Sequence, residues 1–494
     1  MTRLRFSCLL LCAVAVSAFV STTAAGQSPD QVTQELRQQV NQLQIQLKAV
    51  QSRLDELESA KGQSGATQAQ APPAAPVAGA QAEQPPLKGA TSPQVGEETA
   101  TYKTFSEDQD SAPRFDNVPL DPKYRGFFRL PGTQTIMKID GYFKTDFIYD
   151  LKPAGNADAF VPASIPVPQI ATVNNANVSI RPTRLNLDFR IPSTRIGEVR
   201  FFVEGDMFGT NSTTPRLRHA YAQAANFLIG QTFSNFMDPD AFPDTLDFQG
   251  PNGLVSLRNP QFRYGFALGP RTTLYLSLEK PSSDVLFTTP TFTSQPNAPS
   301  PDGTVRLRQE FERGHFQIAA LFRSIAAFVP SGATAKTDAV FGWGVNASAA
   351  FKTFDRDSLV IAVAGGHGVS RYIQDTAGLG IDAEVVSATN PHLQATPDIG
   401  IESGYRHYWT QTLRSSAIFS YAGVQNTNLT PNTTYNHGVY TATNLIWNPF
   451  QSSLNVGAEF LYGWRQLQNG EKGNAPRIQF SAKYNFVKVN PDKK

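Results

Sequence analysis

The chain has almost no cysteine: its only two thiols, Cys8 and Cys12, lie in the leading segment, ahead of an expected cleavage point. A mature chain without them has no disulfide, no thiol nucleophile and no cysteine metal site. A lipoprotein signal needs a small residue before its cysteine, and Leu11 stands there instead. Charge is also sparse. Charged residues make up 17% of the 494, and the formal net charge is +2, which excludes both a basic polyanion binder and an acidic disordered chain and gives no reason to expect a nucleic-acid partner. Outside the N-terminus no apolar run approaches the ~20 residues of a membrane helix. Catalytic patterns are missing too. His219, His315, His367, His392, His407 and His437 fall in no zinc-ligand spacing, there is no G-x-S-x-G, and "GGHGVS" (365–370) lacks the strand, loop and helix context of a phosphate loop. Neither an enzyme nor a cofactor-binding protein is expected.

What the chain does have begins with Arg3 and Arg5, an apolar run ending near Val20, and small residues Ala24, Ala25 and Gly26. Those are the three parts of a secretory signal peptide, expected over 1–26. In residues 27–61 Leu36, Leu43, Val50 and Leu57 take one heptad core position, and Val40, Leu47 and Leu54 take the other. That seam predicts a self-associating coiled coil and does not separate dimer from trimer. Residues 62–125 open with a long Ala, Gln, Pro and Gly stretch that cannot build a core, and they read as a linker.

From 126 to 486 the texture is aromatic and alternating, consistent with 34 Phe, 15 Tyr, 36 Gly and 35 Pro. In "MKIDGYFKTDFIYD" (137–150) Met137, Ile139, Phe143, Phe147 and Tyr149 share one parity, and Lys138, Asp140, Lys144 and Asp146 share the other. "RLNLDFRI" and "VRFFVEGDM" repeat the pattern, with Arg184, Asn186, Asp188 and Arg190, then Arg200, Glu204 and Asp206, on a single face. A charge facing lipid at mid-depth costs roughly 2–4 kcal/mol, so these faces must look into a lumen. The connections also sort by parity. Eight long polar loops, among them "VPSGATAKTDA" (329–339) and "RQLQNGEKGNAP" (465–476), alternate with seven short turns. An antiparallel all-β transmembrane barrel of about 16 strands is the expected fold, followed by a short tail at 487–494.

Several separated blocks carry a resemblance: "GFFRLPGTQTIMKIDGYFKTDFIYD", "LRHAYAQAANFLIGQTFSNFMDPDAFPDTLDF", "GYRHYWTQTLRSSAIFSYAGV", "NLIWNPF" and "NAPRIQFSAKYNF". Together they resemble the DcaP-like porins of Gram-negative outer membranes, over nearly all of 126–486. The resemblance implies a homotrimer of sixteen-stranded barrels with an N-terminal periplasmic coil, passing small anionic solutes, typically dicarboxylates. The closing strand, with aromatic Phe486 at its end, looks like the signal read by the barrel assembly machinery. Outer-membrane lipid is the remaining expected partner.

The residues themselves suggest where anions would be met. Arg181, Arg184, Arg190, Arg200, Arg216, Arg218, Arg258, Arg263, Arg306 and Arg308 crowd the first half of the barrel, and Lys138 and Lys144 join them from the first strand. Guanidinium stays charged and grips carboxylates in a bidentate manner. The same arginines have wall-bracing partners within reach in Asp188, Glu204, Asp206, Glu310 and Glu312. Arg181 and Arg184 have opposite parity, as do Arg258 and Arg263, so one of each pair points outward unless Pro182 or Pro260 marks a bulge. In the third long loop Asp238, Asp240, Asp244 and Asp247 suit three readings: the acidic side of an eyelet, an ordinary solvated loop, or a calcium site outside any EF-hand spacing. The expected function is passive diffusion of small hydrophilic, preferentially anionic solutes. The alternative is a structural or adhesive outer-membrane barrel with a plugged pore and a periplasmic spacer coil.

Overall fold

The computed structural model describes residues 126–486 apart from short stretches at 170–172, 211–212, 286–287, 290–291, 294, 332–333, 355, 387–391, 428–429 and 450–452. The expected signal peptide, coil, linker and tail lie outside the described residues.

Sixteen antiparallel strands close into one barrel. They are β1 (Ile136–Asp150), β2 in two pieces (Asn175–Ser179 and Arg184–Thr194), β3 (Gly197–Asp206), β4 (Arg216–Ala224), β5 (Phe227–Phe233), β6 (Arg258–Gly269), β7 (Thr272–Glu279) and β8 (Asp302–Phe311). Then come β9 (Gly314–Ser331), β10 (Thr334–Lys352), β11 (Ser358–His367), β12 (Pro397–Tyr408), β13 (Leu413–Val424), β14 (Tyr435–Trp447), β15 (Leu454–Leu467) and β16 (Lys472–Asn485). Closure is made by β16 on β1, in register from Tyr142 opposite Asn485 to Asp150 opposite Arg477. No backbone edge of the wall is left open, which is the condition for strands to stand in lipid.

Alternation assigns the faces as expected. On β1, Ile139, Phe143, Phe147 and Tyr149 are exposed on the outside, while Lys144, Asp146 and Asp150 are buried on the inside. The break in β2 falls at Ile180–Thr183, where Pro182 removes a ladder donor. Thr183 fills the gap: its hydroxyl accepts from the Lys144 N–H and donates to the Lys144 carbonyl, both at 3.2 Å.

Two loops differ from expectation. The polar stretches at 329–339 and 465–476 are largely strand. β9 and β10 pair as far as Ser331 opposite Thr334, and β15 and β16 leave only four residues, 468–471, between them. Hydrophobic alternation stops there while backbone pairing continues, so the hairpins extend beyond the apolar band. The remaining connections keep the alternation of long loops at one rim and short turns at the other.

The barrel is not hollow. Loop 1 (151–174), loop 3 (234–257) and loop 6 (368–396) fold inward and bury apolar side chains against the wall. Phe236, Met237, Phe242, Leu254 and Val255 of loop 3 meet Val369, Tyr372 and Ile373 of loop 6 over small wall residues Ala319, Ala364 and Ala422. Phe160 and Ile165 of loop 1 pack on Ile418, Tyr440, Leu461 and Ala475 of β13–β16.

Candidate functional site

The inner face of β2–β8 is built from arginine. A bulge in β4 contributes to this: Glu204 pairs His219 and Gly205 pairs Leu217, so Arg218 is the extra residue. Both Arg218 and His219 therefore turn inward and are buried, while Arg216 keeps the inward side at the strand start. Much of the charge is answered along the wall. Asp188 takes Arg190 (3.1 and 3.1 Å) and Arg200 (3.1 and 3.0 Å), and Glu198 takes the remaining arm of Arg190 at 2.7 Å. Arg218 pairs with Glu204 and Asp206, each at 3.0 Å, and Arg216 pairs with Asp206 at 2.6 Å.

Two arginines on this wall are answered by neutral groups. Arg263 donates to the Phe233 carbonyl and to Gln261 Oε1. Arg306 lies over the Tyr275 ring, its guanidinium carbon 4.0 Å from the centroid. Among the described residues no carboxylate reaches ion-pair distance of either. They stand on neighbouring rows of one sheet patch, since Arg263 pairs Ser277 and Tyr275 pairs Arg306. A guanidinium without a counter-charge in a low-dielectric site strongly favours an anion beside it.

Loop 3 starts against β7 and β8, where Asn235 donates to the Tyr275 carbonyl and to Thr304, and then crosses to the opposite wall. It leaves β5 and bonds in turn to successive strands. Asn346 of β10 donates to the Phe236 carbonyl and Gln317 of β9 to the Met237 carbonyl. Asp238 lies 2.8 Å from His315 Nε2, accepts from the Ser348 hydroxyl at 2.6 Å and meets Arg308 at 3.2 Å. Asp244 takes Arg414 at 2.6 Å. Glu459 of β15 accepts the Leu246 and Asp247 N–H groups at 3.0 and 2.7 Å. The Leu246 carbonyl then receives Lys144 of β1 and Gln479 of β16, at 2.7 and 2.9 Å. The return leg lies directly on β12 and β13: a Cβ at Gly253 would stand 2.2 Å from the Tyr421 carbonyl oxygen and 2.6 Å from that of Ile401.

At the tip of that path Phe248 stacks on Phe208 of loop 2 (207–215), centroids 3.9 Å apart and 14° from parallel. Guanidinium groups ring this pair. Arg184, Arg216 and Arg218 lie 5.5 to 5.9 Å from the Phe248 ring, and Arg181 lies 4.6 Å from that of Phe208. The aromatic faces hold the arginines together through cation–π attraction and without neutralising them.

The expected site residues thus separate into groups. Arg184, Arg190, Arg200, Arg218, Arg263, Arg306 and Arg308 are on the inner wall, and Arg216 keeps 38% of its side chain exposed there. Arg181 lies in the β2 break, bonded to Asp158 and to the Met207 and Gly209 carbonyls, so Pro182 does mark an irregularity. Pro260 does not: it pairs Gln231 in regular register, which leaves Arg258 on the opposite parity to the inward Arg263. Lys138 pairs Asp140 at 2.8 Å, and Lys144 is buried under loop 3 rather than wetted. Glu312 leaves the inner row for an exposed turn. The four loop acids are buried and bonded: Asp238 and Asp240 on Arg308, Asp244 on Arg414, and Asp247 on the Phe160 and Gly250 N–H groups, both at 2.9 Å. Three of them bond to wall arginines and Asp247 bonds to loop backbone, so all four serve to anchor the loop.

In the second half, alternation in "HFQIAALFR" sets Arg323 on the ionic face with His315 and Gln317, whereas Arg406, Arg414 and Arg477 were passed over. Arg323, Arg406, Arg414 and Arg477 all turn inward, and Arg477 grips Asp150 at 2.6 and 3.1 Å. Parity was the available signal, since Arg406 shares its face with Glu402. Burial would raise the Asp238 carboxyl, but His315 and Arg308 more than offset it and hold the group well below the usual range. Burial pushes Asp247 up to about 6 against its backbone donors. It does the same to Asp375 of loop 6, again to about 6, although Asp375 accepts from the loop 1 Ala163 N–H at 2.9 Å and from the Tyr435 hydroxyl at 2.8 Å.

The model of the DcaP outer membrane protein family matches residues 129–486. Among solved structures, the outer membrane channel DcaP of Acinetobacter baumannii is similar at a TM-score of 0.64 and 23% identity, covering 73% of this chain and 99% of that one. The anion-selective porin from Comamonas acidovorans is similar at a TM-score of 0.48 and 9% identity, over 71% of this chain and 100% of that one. OmpT of Vibrio cholerae in its trimer form follows at 0.46 and 11%, over 71% and 99%. No curated protein matches the chain.

Proposed function

The chain belongs to the DcaP outer membrane protein family, and from that premise we propose a porin that passes small hydrophilic, preferentially anionic solutes, dicarboxylates among them, by passive diffusion. The family and fold are those of outer-membrane channels, which are not enzymes. The observation that carries the anion preference is the β2–β8 wall, where Arg263 and Arg306 have no carboxylate partner among the described residues, whereas the loop 3 acids Asp238 and Asp240 are taken by Arg308. A cationic surface in a narrow aqueous site raises the local anion concentration, and neighbouring guanidinium groups suit the two ends of a diacid. Selectivity then needs neither cofactor nor energy source.

Planar-bilayer recordings under a salt gradient test this reading. The expected result is a reversal potential of anionic sign, with current blocked more by dicarboxylates than by monocarboxylates; a cationic sign removes the arginine argument. One observation favours the second reading, a plugged barrel: loops 1, 3 and 6 bury continuous apolar clusters inside the wall. Absence of any conductance would decide for it. The assembly proposed is a homotrimer formed through the barrel and the coil at 27–61, with the coil in the periplasm. Deleting 27–61 is expected to leave conductance intact and to lower trimer yield.

A further inference from the structure

The short-turn rim repeats one small pattern. At five stations an exposed arginine stands within three residues of an exposed large apolar side chain. The first is Phe128 with Arg129, on the two-residue strand that pairs the start of β1. Ile196 follows with Arg195 in the first turn, and Leu268 with Arg271 in the third. Phe311 with Arg313 and Phe354 with Arg356 complete the arc, Phe354 being 74% exposed. In the long loops the described arginines are Arg181 and Arg371, paired with Asp158 and Asp302, and no such repeat occurs.

Lateral contacts hold these guanidinium groups at the rim. Arg271 reaches Glu312 of the next turn at 3.9 Å, Arg313 donates to the Thr353 carbonyl at 2.8 Å, and Arg356 donates to the Gln411 carbonyl at 3.2 Å. A guanidinium has five N–H donors, so each keeps several for another ligand. The arc is net positive. In the sequence of these turns five arginines and Lys352 outnumber Glu198, Glu312, Asp355 and Asp357; Glu198 is taken by Arg190 and Asp357 by Tyr405, His407 and the Tyr408 N–H.

We infer that the short-turn rim is a binding surface for the phosphate groups of anionic phospholipids in the leaflet it faces. The apolar tips enter the acyl boundary while the arginines take phosphate oxygens by paired N–H donation. This goes beyond solute passage and rests only on the barrel spanning a membrane. Each arginine near an anionic lipid surface strengthens binding by about fivefold, so the arc should select phosphatidylglycerol over phosphatidylcholine of equal chain length.

Native mass spectrometry of the detergent-purified full-length protein, with each lipid added in turn, tests this. The wild type is expected to retain phosphatidylglycerol in preference. The variant R195Q/R271Q/R313Q/R356Q is expected to lose that preference by about tenfold or more, while unboiled gel mobility shows its barrel still folded. A control at the other rim, K280Q/K472Q, is expected to keep it. Equal retention of both lipids by the wild type overturns the inference, as does an unchanged preference in the fourfold variant or the same loss in the control. Binding to purified murein without lipid preference overturns it in favour of a cell-wall ligand.

Discussion

The two halves of the wall follow one rule outside and two rules inside. Outside, β1–β8 and β9–β16 alike present Phe, Leu, Ile and Val to lipid. Inside, β2–β8 carry Arg184, Arg190, Arg200, Arg218, Arg263 and Arg306, whereas β9–β13 carry Ala319, Leu321, Ala364 and Ala422 under loops 3 and 6. The inner face is thus of two kinds: guanidinium recurs along β2–β8, and small apolar groups lie where the apolar clusters of loops 3 and 6 pack on β9–β13. Charges on the covered half are mostly anchors, as where Asp398 accepts from Ser370 and the Val369 N–H of loop 6; Glu402 of β12 differs, being buried with its Oε2 unbonded among the described residues.

If that division is right, the covered half is the more fragile. Asp238→Ala removes the acceptor shared by Arg308, His315 and Ser348, and stranding one partner of a buried ion pair costs about 3–5 kcal/mol. Loop 3 is expected to become cleavable by added protease and the channel to become larger and noisier.

Acidity should act on the same half. Burial raises Asp247 and Asp375 to about 6 from an ordinary 3.8, each unit being worth about 1.4 kcal/mol. The docked loops thus hold more protons than the undocked ones between those values. The contribution of these two groups to docking is full below pH 4 and weakens as pH rises through 6, whereas that of Asp238, whose carboxyl is depressed, is lost only as pH falls below 4. Protease sensitivity and current noise are expected to be greater at pH 8 than at pH 5. Asp375→Asn should flatten that difference, and a slope of opposite sign would refute the assignment.

Gly253→Ala should be milder, at about 1–3 kcal/mol for an overpacked contact, because loop 3 can lift locally from β12 and β13. The same protease assay reads it. On the arginine half, Arg306→Ala and Arg184→Ala should leave the loops seated and shift the reversal potential toward neutrality; unchanged potentials in both remove these residues from the filter. Arg271→Ala breaks only an exposed pair with Glu312. It should change thermal stability by about 0–1 kcal/mol, measured by the temperature at which the folded gel band is lost.

Strand number and the sorting of long and short connections were legible in the sequence because both arise locally, from alternation and from turn residues. The hairpin tips at 329–339 and 465–476 were misread because alternation disappears once strands leave the apolar band, although pairing does not. Arg258 and Arg263 could be separated by counting parity alone. The path of loop 3 could not be read, since its partners are far away in the chain: Asp238 bonds to residues 70 to 110 positions on, and Leu246 to residues 102 and 233 positions away. Four aspartates in one loop suited an eyelet, a solvated loop or a calcium site alike, because nothing local reveals distant partners such as Arg308, Arg414 and the Phe160 N–H. The β4 bulge lies within one hairpin, but strand alternation does not mark the extra residue between Leu217 and His219, so the joint inward turn of Arg218 and His219 was not foreseen.

The Leu246 carbonyl has a meaning in time as well as in space. Its two donors, Lys144 and Gln479, sit on the strands that the chain makes first and last, on either side of the seam where the cylinder shuts. Loop 3 is synthesised before β6, yet its seat does not exist until β16 has found β1. Contacts of such long sequence separation form late. An unshut barrel should therefore carry loop 3 loose, and its settling would mark the end of assembly, so that cleavage in this one loop distinguishes a finished barrel from one still waiting for its last strand.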